Sequence, residues 1–182
     1  MISNAHIRET AEAYLREHPE ASDELAPLFG LLGQDAQLAS RKEFRGHVTA
    51  GAILADAEGR ILFIEHVALG RWLTPGGHLE NEDEELMQAA LRELAEETGI
   101  RQQDVVPLLE VPVHIDVHTI PDSPVKGEPE HEHIDFRFLF TTGVDVAQLQ
   151  AEEVSGFAWF EADLLSRGGL QENVQRALKD RA

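Results

Sequence analysis

The sequence contains no cysteine. That absence excludes disulfides, thiolate zinc centres and cysteine nucleophiles, though by itself it says little about redox compartment. Long apolar runs are also missing. No segment approaches the roughly 18 apolar residues that mark a bilayer span, and the N-terminus lacks the charged-then-apolar pattern of a secretory signal. No membrane partner is expected, and a cytoplasmic location is. Basic residues are scarce, with 15 Lys and Arg against 34 Asp and Glu and a net charge of −19. Extended contact with DNA or long RNA needs a Lys/Arg surface to displace counterions, so both are excluded as partners. Internal repeats and low-complexity tracts are absent too. What remains is 182 residues with 42% hydrophobic content, enough for one globular domain with a sizeable core.

Acid is what the chain has in excess, and it is concentrated. Of the 18 residues from Glu80 to Glu97, eight are acidic and one, Arg92, is basic. The spacing predicts a helix over 86–98, and at about 100° per residue Leu86, Met87, Ala90, Leu91 and Leu94 form its apolar arc. Glu93 and Glu97 fall inside that arc and Glu96 at its edge, although solvated acids belong opposite it. Side chains three and four apart on a helix are neighbours, with Cβ atoms roughly 5–6 Å apart. Two like charges about 4 Å apart repel by roughly 4 kcal/mol at an effective dielectric near 20, so an ordinary charged face is the bland reading and a bound divalent cation the sharper one.

Thr74-Pro75-Gly76-Gly77 comes before this helix. Glycine has no Cβ to keep a ligand away from the backbone, so carbonyls in such a turn can approach a cation closely. Hard ions such as Mg²⁺ take this mixture of carboxylate and carbonyl oxygen. A metal there would also reconcile the acidic composition with a small anionic substrate, because a bound ion inverts the local field.

The stretch GGHLENEDEELMQAALRELAEETGI, Gly76 to Ile100, resembles the Nudix box of the Nudix hydrolases, G-x5-E-x7-R-E-U-x-E-E-x-G-U with U a bulky aliphatic residue. Arg92, Glu93, Leu94, Glu96, Glu97, Gly99 and Ile100 fill every fixed position of its second half. The first half carries a one-residue insertion, which leaves Asp83 and Glu84 both as candidates for the first acidic position. The resemblance implies an α/β fold: a Nudix-type α/β/α sandwich with a mixed sheet over residues 44–182, here preceded by a helical extension over residues 1–43. It also implies a pyrophosphohydrolase that splits the diphosphate linkage of a nucleoside diphosphate joined to another moiety. Mg²⁺, or Mn²⁺, would be held by Glu93, Glu96, Glu97 and the carbonyl of Gly76. Arg92 would orient the box by pairing with its carboxylates, with Glu93 and Glu96 beside it in the catalytic set. A general base in this family comes either from a box glutamate or from a glutamate on a distant loop, where Glu152 and Glu153 are the candidates. Isopentenyl-diphosphate isomerases resemble Nudix proteins but rely on a cysteine, which this chain lacks.

Around the box, residues 3–33 read as two amphipathic helices. Ile7, Ala11, Tyr14 and Leu15 give the apolar side of the first, and Ser22 followed by Asp23 and Glu24 starts the second. They read as packing on the core, with a homodimer contact or a lid as the other reading. Strands are predicted over His47–Leu54 and Arg60–Val67, then over 108–119 and His131–Thr142, with a short one at Phe157–Phe160 and helix over 161–181. Arg71 and Trp72 fall in a loop before the glycine turn.

Alternation along the two later strands puts His114, Asp116 and His118 on one face, and His131, His133, Asp135 and Arg137 on one face of the other. Three readings stand for this surface. It is a solvated sheet face, or a pocket wall in which Arg137 or His133, with Arg71 nearby in the chain, holds a substrate phosphate or base, or a separate His/Asp metal site. The alternative to a hydrolase is therefore a catalytically silent Nudix-like module that binds a ligand or metal through this histidine face.

Overall fold

The computed structural model describes residues 1–66, 70–125, 127–143, 154–165 and 169–180. Helix α1 (Asn4–Glu17) opens with Ser3 as its N-cap, the hydroxyl accepting the His6 N–H at 3.1 Å. Ile7, Ala11 and Tyr14 face inward, as their spacing predicts. The next helix does not begin at Ser22. Pro19–Ser22 instead form a 3₁₀ turn, and α2 runs Ala26–Leu32 with Pro27 in its first turn. Proline has no N–H to donate and a φ suited to a first turn, so Pro27 sets the start.

A mixed eight-stranded sheet follows, built from β1 (His47–Ala55), β2 (Ile61–His66), β3 (Arg71–Leu73), β4 (Gly76–His78), β5 (Val105–Pro107), β6 (His114–Ile120), β7 (His131–Thr142) and β8 (Val154–Phe160). β1 is central. It runs parallel to β7 from His47↔His133 to Ala55↔Thr141, and antiparallel to β4 and to the start of β2. β2 is flanked by β3 and β8, and β7 pairs with both β5 and β6, all antiparallel.

Two expectations change here. Arg71 and Trp72 lie on the short strand β3 rather than in a loop. The strand expected over 108–119 begins only at His114, as β6, and a short strand the sequence reading did not expect, β5, precedes it; both pair with β7. Leu108 still donates its N–H to the Leu139 carbonyl of β7, but Pro112 cannot donate to a ladder, and β6 begins only beyond it, at His114.

Helices α3 (Leu86–Thr98) and α4 (Gly169–Asp180) complete the fold. Val48, Ala50, Ala52 and Leu54 of β1 join Ile134, Phe136, Phe138 and Phe140 of β7 in a core shared with α1, α2 and α3. On the other face Ile53, Ala55 and Leu139 pack with Leu170 and Val174 of α4. The sheet is therefore covered on both faces, as an α/β/α sandwich, and each large apolar side chain buried this way stabilises it by roughly 1.5–3 kcal/mol. The N-terminal helices belong to the same core. Leu86 at the start of α3 donates its N–H to His6 Nε2 at 3.2 Å, so α1 satisfies one of the amides left open at that helix end. No helix among the described residues is long and apolar enough to cross a membrane.

His114 is buried where α1, β6 and α4 meet. Tyr14 Oη is 3.5 Å from its Nδ1, and a Cβ on Gly169 would lie 3.1 Å from its ring. Burial lowers its pKa; Asp116 opposes that shift, while Arg137 and His18 add to it. A histidine whose folded pKa lies below its unfolded value of about 6.5 contributes stability that is fully present above that pH and lost as pH falls toward the folded value. Thermal denaturation should therefore give a melting temperature that declines from pH 7 to pH 5, with a shallower decline in His114→Gln. An unchanged slope in the variant would contradict this assignment.

Candidate functional site

Helix α3 carries the acidic cluster and ends at Gly99, whose φ of 71° and N–H bond to the Ala95 carbonyl form a left-handed cap. Leu86, Ala90, Leu91, Leu94 and Thr98 are buried against the sheet, which turns Glu93 and Glu97 toward the protein as the helical wheel predicts. Arg92 organises the acids. Its Nη1 donates to Glu93 Oε1 and Glu96 Oε2, both at 2.9 Å. Its Nε and Nη2 grip the two oxygens of Asp83 at 3.1 and 3.0 Å, and Nη2 also donates to the His78 carbonyl at 2.9 Å.

Asp83 is only 7% exposed and accepts the Glu80 N–H at 2.7 Å, whereas Glu84 is exposed. The insertion in the first half of the box is thus taken up so that Asp83 occupies the buried acidic position. Burial alone would raise the Asp83 pKa, but the Arg92 and Glu80 donors outweigh it and hold the carboxyl below the usual range. Glu93 goes the other way. Burial pushes its carboxyl up, and Arg92 offsets only part of the effect. The Glu96 side chain is 54% exposed at the rim, and Glu97 Oε2 accepts the Gly76 N–H at 2.9 Å.

The glycine turn is the start of β4, which pairs with β1 through Gly51↔Gly76, Ala50↔Gly77 and Thr49↔His78. Each glycine has its own reason. A Cβ on Gly76 would lie 2.8 Å from the Gly51 Cα and 3.0 Å from the Ala50 carbonyl oxygen. A Cβ on Gly77 would lie 2.7 Å from all three atoms of the Glu93 carboxylate group. The space where that Cβ would be is what lets Glu93 sit against the strand.

Alternation sends Gly76 and His78 to the opposite face of β4 from Gly77, and on that face lie the polar side chains of three neighbouring strands. Parallel pairing of β1 with β7 places His47 beside His133, Thr49 beside Asp135 and Gly51 beside Arg137. Antiparallel pairing of β6 with β7 adds His118 beside His133 and Asp116 beside Asp135. The hairpin and its histidine face are as the alternation predicts. The sequence reading missed His47 and His78, which come from strands distant in the chain. The ring centroids of His47 lie 4.7 Å from His133, 5.1 Å from His78 and 4.9 Å from His131. Burial, reinforced by the neighbouring imidazoles, lowers the pKa of His78 to about 4 and of His133 to about 3.

Both sets of residues border one cleft of about 740 Å³, whose walls include Gly76, Glu93, Glu96 and Glu97 on one side and Thr49, His133 and Arg137 on the other. Arg137 is already engaged. It donates to Asp135 at 2.6 Å and Asp116 at 3.3 Å, with Thr74 Oγ1 at 3.4 Å, while the Thr49 hydroxyl also bonds Asp135. Arg71 is exposed on β3 and is not among the residues bordering the cleft. Arg41, which no sequence signal singled out, does border it, 3.1 Å from Glu128. His114 is buried and is not among the residues bordering the cleft, and Glu152 and Glu153 fall outside the described residues.

The NUDIX domain profile matches residues 45–180. The chain belongs to the Nudix family. Among relatives, the probable DHNTP pyrophosphohydrolase of Lactococcus lactis subsp. cremoris is 34% identical over 115 residues, covering 60% of this chain and 66% of that protein. The phosphatase NudJ of Escherichia coli K12 is 48% identical over 62 residues, 33% of this chain and 39% of the relative. The chain thus matches less than two thirds of the length of either. Two solved structures share this fold: a C. elegans Ap4A hydrolase in a binary complex and the E. coli dihydroneopterin triphosphate pyrophosphohydrolase. The first has a TM-score of 0.54 at 19% identity over 73% of this chain and 98% of its own; the second has 0.52 at 19% over 72% and 95%.

The two Nudix-box glycines separate fold from site. Gly76→Ala drives a Cβ into backbone and should destabilise the fold by about 1–3 kcal/mol. In Gly77→Ala the atoms nearest the new Cβ are the flexible end of Glu93, so it should melt near wild type while displacing that carboxylate and weakening Mn²⁺ binding in calorimetry. Equal losses of stability, or unaltered Mn²⁺ binding in Gly77→Ala, would contradict the account.

Proposed function

We propose that the chain is a Mg²⁺- or Mn²⁺-dependent pyrophosphohydrolase acting on a small anionic substrate of nucleotide type, a nucleoside diphosphate joined to another moiety. The observation that carries this reading is the placement of Glu93, Glu96 and Glu97 against a glycine turn that a single Cβ would crowd, with one guanidinium to balance them. Glu93, Glu96, Glu97 and the Gly76 carbonyl would hold the ion, a set of hard oxygen donors that fits Mg²⁺. A bound ion supplies charge neutralisation at phosphoryl oxygen and a more acidic water for attack on phosphorus. The names of the Lactococcus and E. coli relatives, a pyrophosphohydrolase and a phosphatase, agree with the reading.

The chain's own residues divide the remaining work. Arg92 is a positioning residue. Its bonds to Asp83 clamp the preceding loop to the helix, and its Nη1 sets the angle of Glu93 and Glu96. Glu93, set between the Gly77 backbone and the Arg92 guanidinium, is placed to accept the proton of the attacking water. His133 offers a neutral imidazole for hydrogen bonding to the rest of the substrate. Arg137, committed to Asp116 and Asp135, shapes the wall rather than supplying free positive charge, and Arg41 is the basic side chain at the cleft that is more than half exposed.

The test is phosphate release from a panel of nucleoside triphosphates, ADP-ribose, dinucleoside polyphosphates and sugar nucleotides, with Mg²⁺ or Mn²⁺, for wild type and Glu97→Gln. Turnover of at least one substrate should fall in the variant by more than the roughly 10–100-fold that outer-shell changes cost a metal site, with the melting temperature retained. Unchanged turnover, or no metal-dependent hydrolysis of any compound by the wild type, would overturn the proposal.

A further inference from the structure

His47 is 2% exposed, and its Nε2 is buried with no hydrogen-bond partner among the described residues. Its other ring nitrogen lies 3.3 Å from the Glu43 carbonyl. A carbonyl only accepts, so Nδ1 carries the proton and Nε2 presents a lone pair. Leaving a buried polar atom unpaired is costly, so this lone pair needs a partner. No donor among the described residues bonds it, but other imidazoles crowd the ring. One ring nitrogen from each of His47, His78 and His133 lies within 4.8 Å of the other two.

We propose that His47, His78 and His133 form a second metal site, separate from the Nudix carboxylates, for a first-row divalent ion that prefers nitrogen, Zn²⁺ being the best fit. Ligand chemistry separates the two sites. Mg²⁺ takes hard oxygen donors, whereas imidazole suits Zn²⁺ and its neighbours. The Nδ1–H of His47 directed at a backbone carbonyl is the outer-shell arrangement that fixes the ring of a metal-bound histidine. With metal–nitrogen bonds of about 2.0–2.1 Å at a tetrahedral angle, the three nitrogens must close to roughly 3.4 Å, which ring rotation of the half-buried His78 and His133 can supply. His131, stacked 4.9 Å from His47, backs the cluster. Asp135 is not needed, since Arg137 and Thr49 already occupy it. Three protein ligands leave a fourth position open toward the cleft that His78 and His133 border. The strand β4 stands between this cluster and Glu93, so the site holds whether or not the carboxylates are catalytic.

The test uses tag-free full-length protein, stripped of metal and titrated with Co²⁺ and then with competing Zn²⁺, read by the visible d–d absorption of the cobalt and by equilibrium dialysis. One equivalent of Co²⁺ should bind with a four-coordinate spectrum, resist excess Mg²⁺ and give way to Zn²⁺. Binding should persist in a Glu93→Gln/Glu97→Gln double variant. It should weaken by more than the roughly 10–100-fold cost of an outer-shell change in both His78→Gln and His133→Gln, each checked as folded by circular dichroism. His47→Ala serves only as a third variant, because its burial couples it to folding. Absence of stoichiometric binding to folded wild type, binding indifferent to both histidine variants, or binding abolished by the glutamate variants would each overturn the proposal. Failure of Glu97→Gln to alter hydrolysis, by contrast, would leave this site standing.

Discussion

One guanidinium holds the acidic end of this molecule together. Arg92 bonds four groups at once: both oxygens of Asp83, one each of Glu93 and Glu96, and the His78 carbonyl. Through Asp83 it closes the loop ahead of α3, and through His78 it ties that helix to β4. Its charge is insufficient for what surrounds it. Asp83 alone neutralises Arg92, so Glu93, Glu96 and Glu97 remain net negative in a region where carboxylates about 4 Å apart repel by roughly 4 kcal/mol at an effective dielectric near 20. Burial raises the proton affinity of Glu93, with Glu96 and Glu80 adding to the shift, and a bound divalent cation would offset the excess charge.

Strand β4 then decides how the rest of the cleft is laid out. It is three residues long, Gly76 to His78, and each meets a different neighbour. Gly76 lies flat on Gly51, Gly77 makes room for Glu93, and His78 turns toward the imidazoles of β1 and β7. Oxygen donors and nitrogen donors are thereby held on opposite sides of one strand yet open to one cleft. Their contrasting ionisation follows from the same burial, which raises the pKa of a carboxyl and lowers that of an imidazole.

Local signals made much of this legible in the chain. The helical period placed Glu93 and Glu97 on the packed face of α3, Gly99 marked its end, and strand alternation put His118, His133, Asp135 and Arg137 on one surface. What could not be read was set by long-range pairing or by prolines acting where other signals were stronger. His47 and His78 reach His133 only because β1 runs parallel to β7 and β4 lies beside β1, an arrangement no local period encodes. Pro112 held back the start of β6 to His114 although the alternation looked continuous from 108, and Pro27 overrode Ser22 as the start of α2. The choice between Asp83 and Glu84 needed burial to settle it, and the engagement of Arg137 by two aspartates needed the register of β6 on β7.

The measurement that bears most directly on the claim that Glu93, Glu96 and Glu97 form a divalent-cation site is an anomalous difference map from a crystal soaked in Mn²⁺. The account predicts a peak bonded to these carboxylates and adjacent to the Gly76 carbonyl. A well-ordered crystal with no peak there, or with manganese only among the imidazoles, would contradict it.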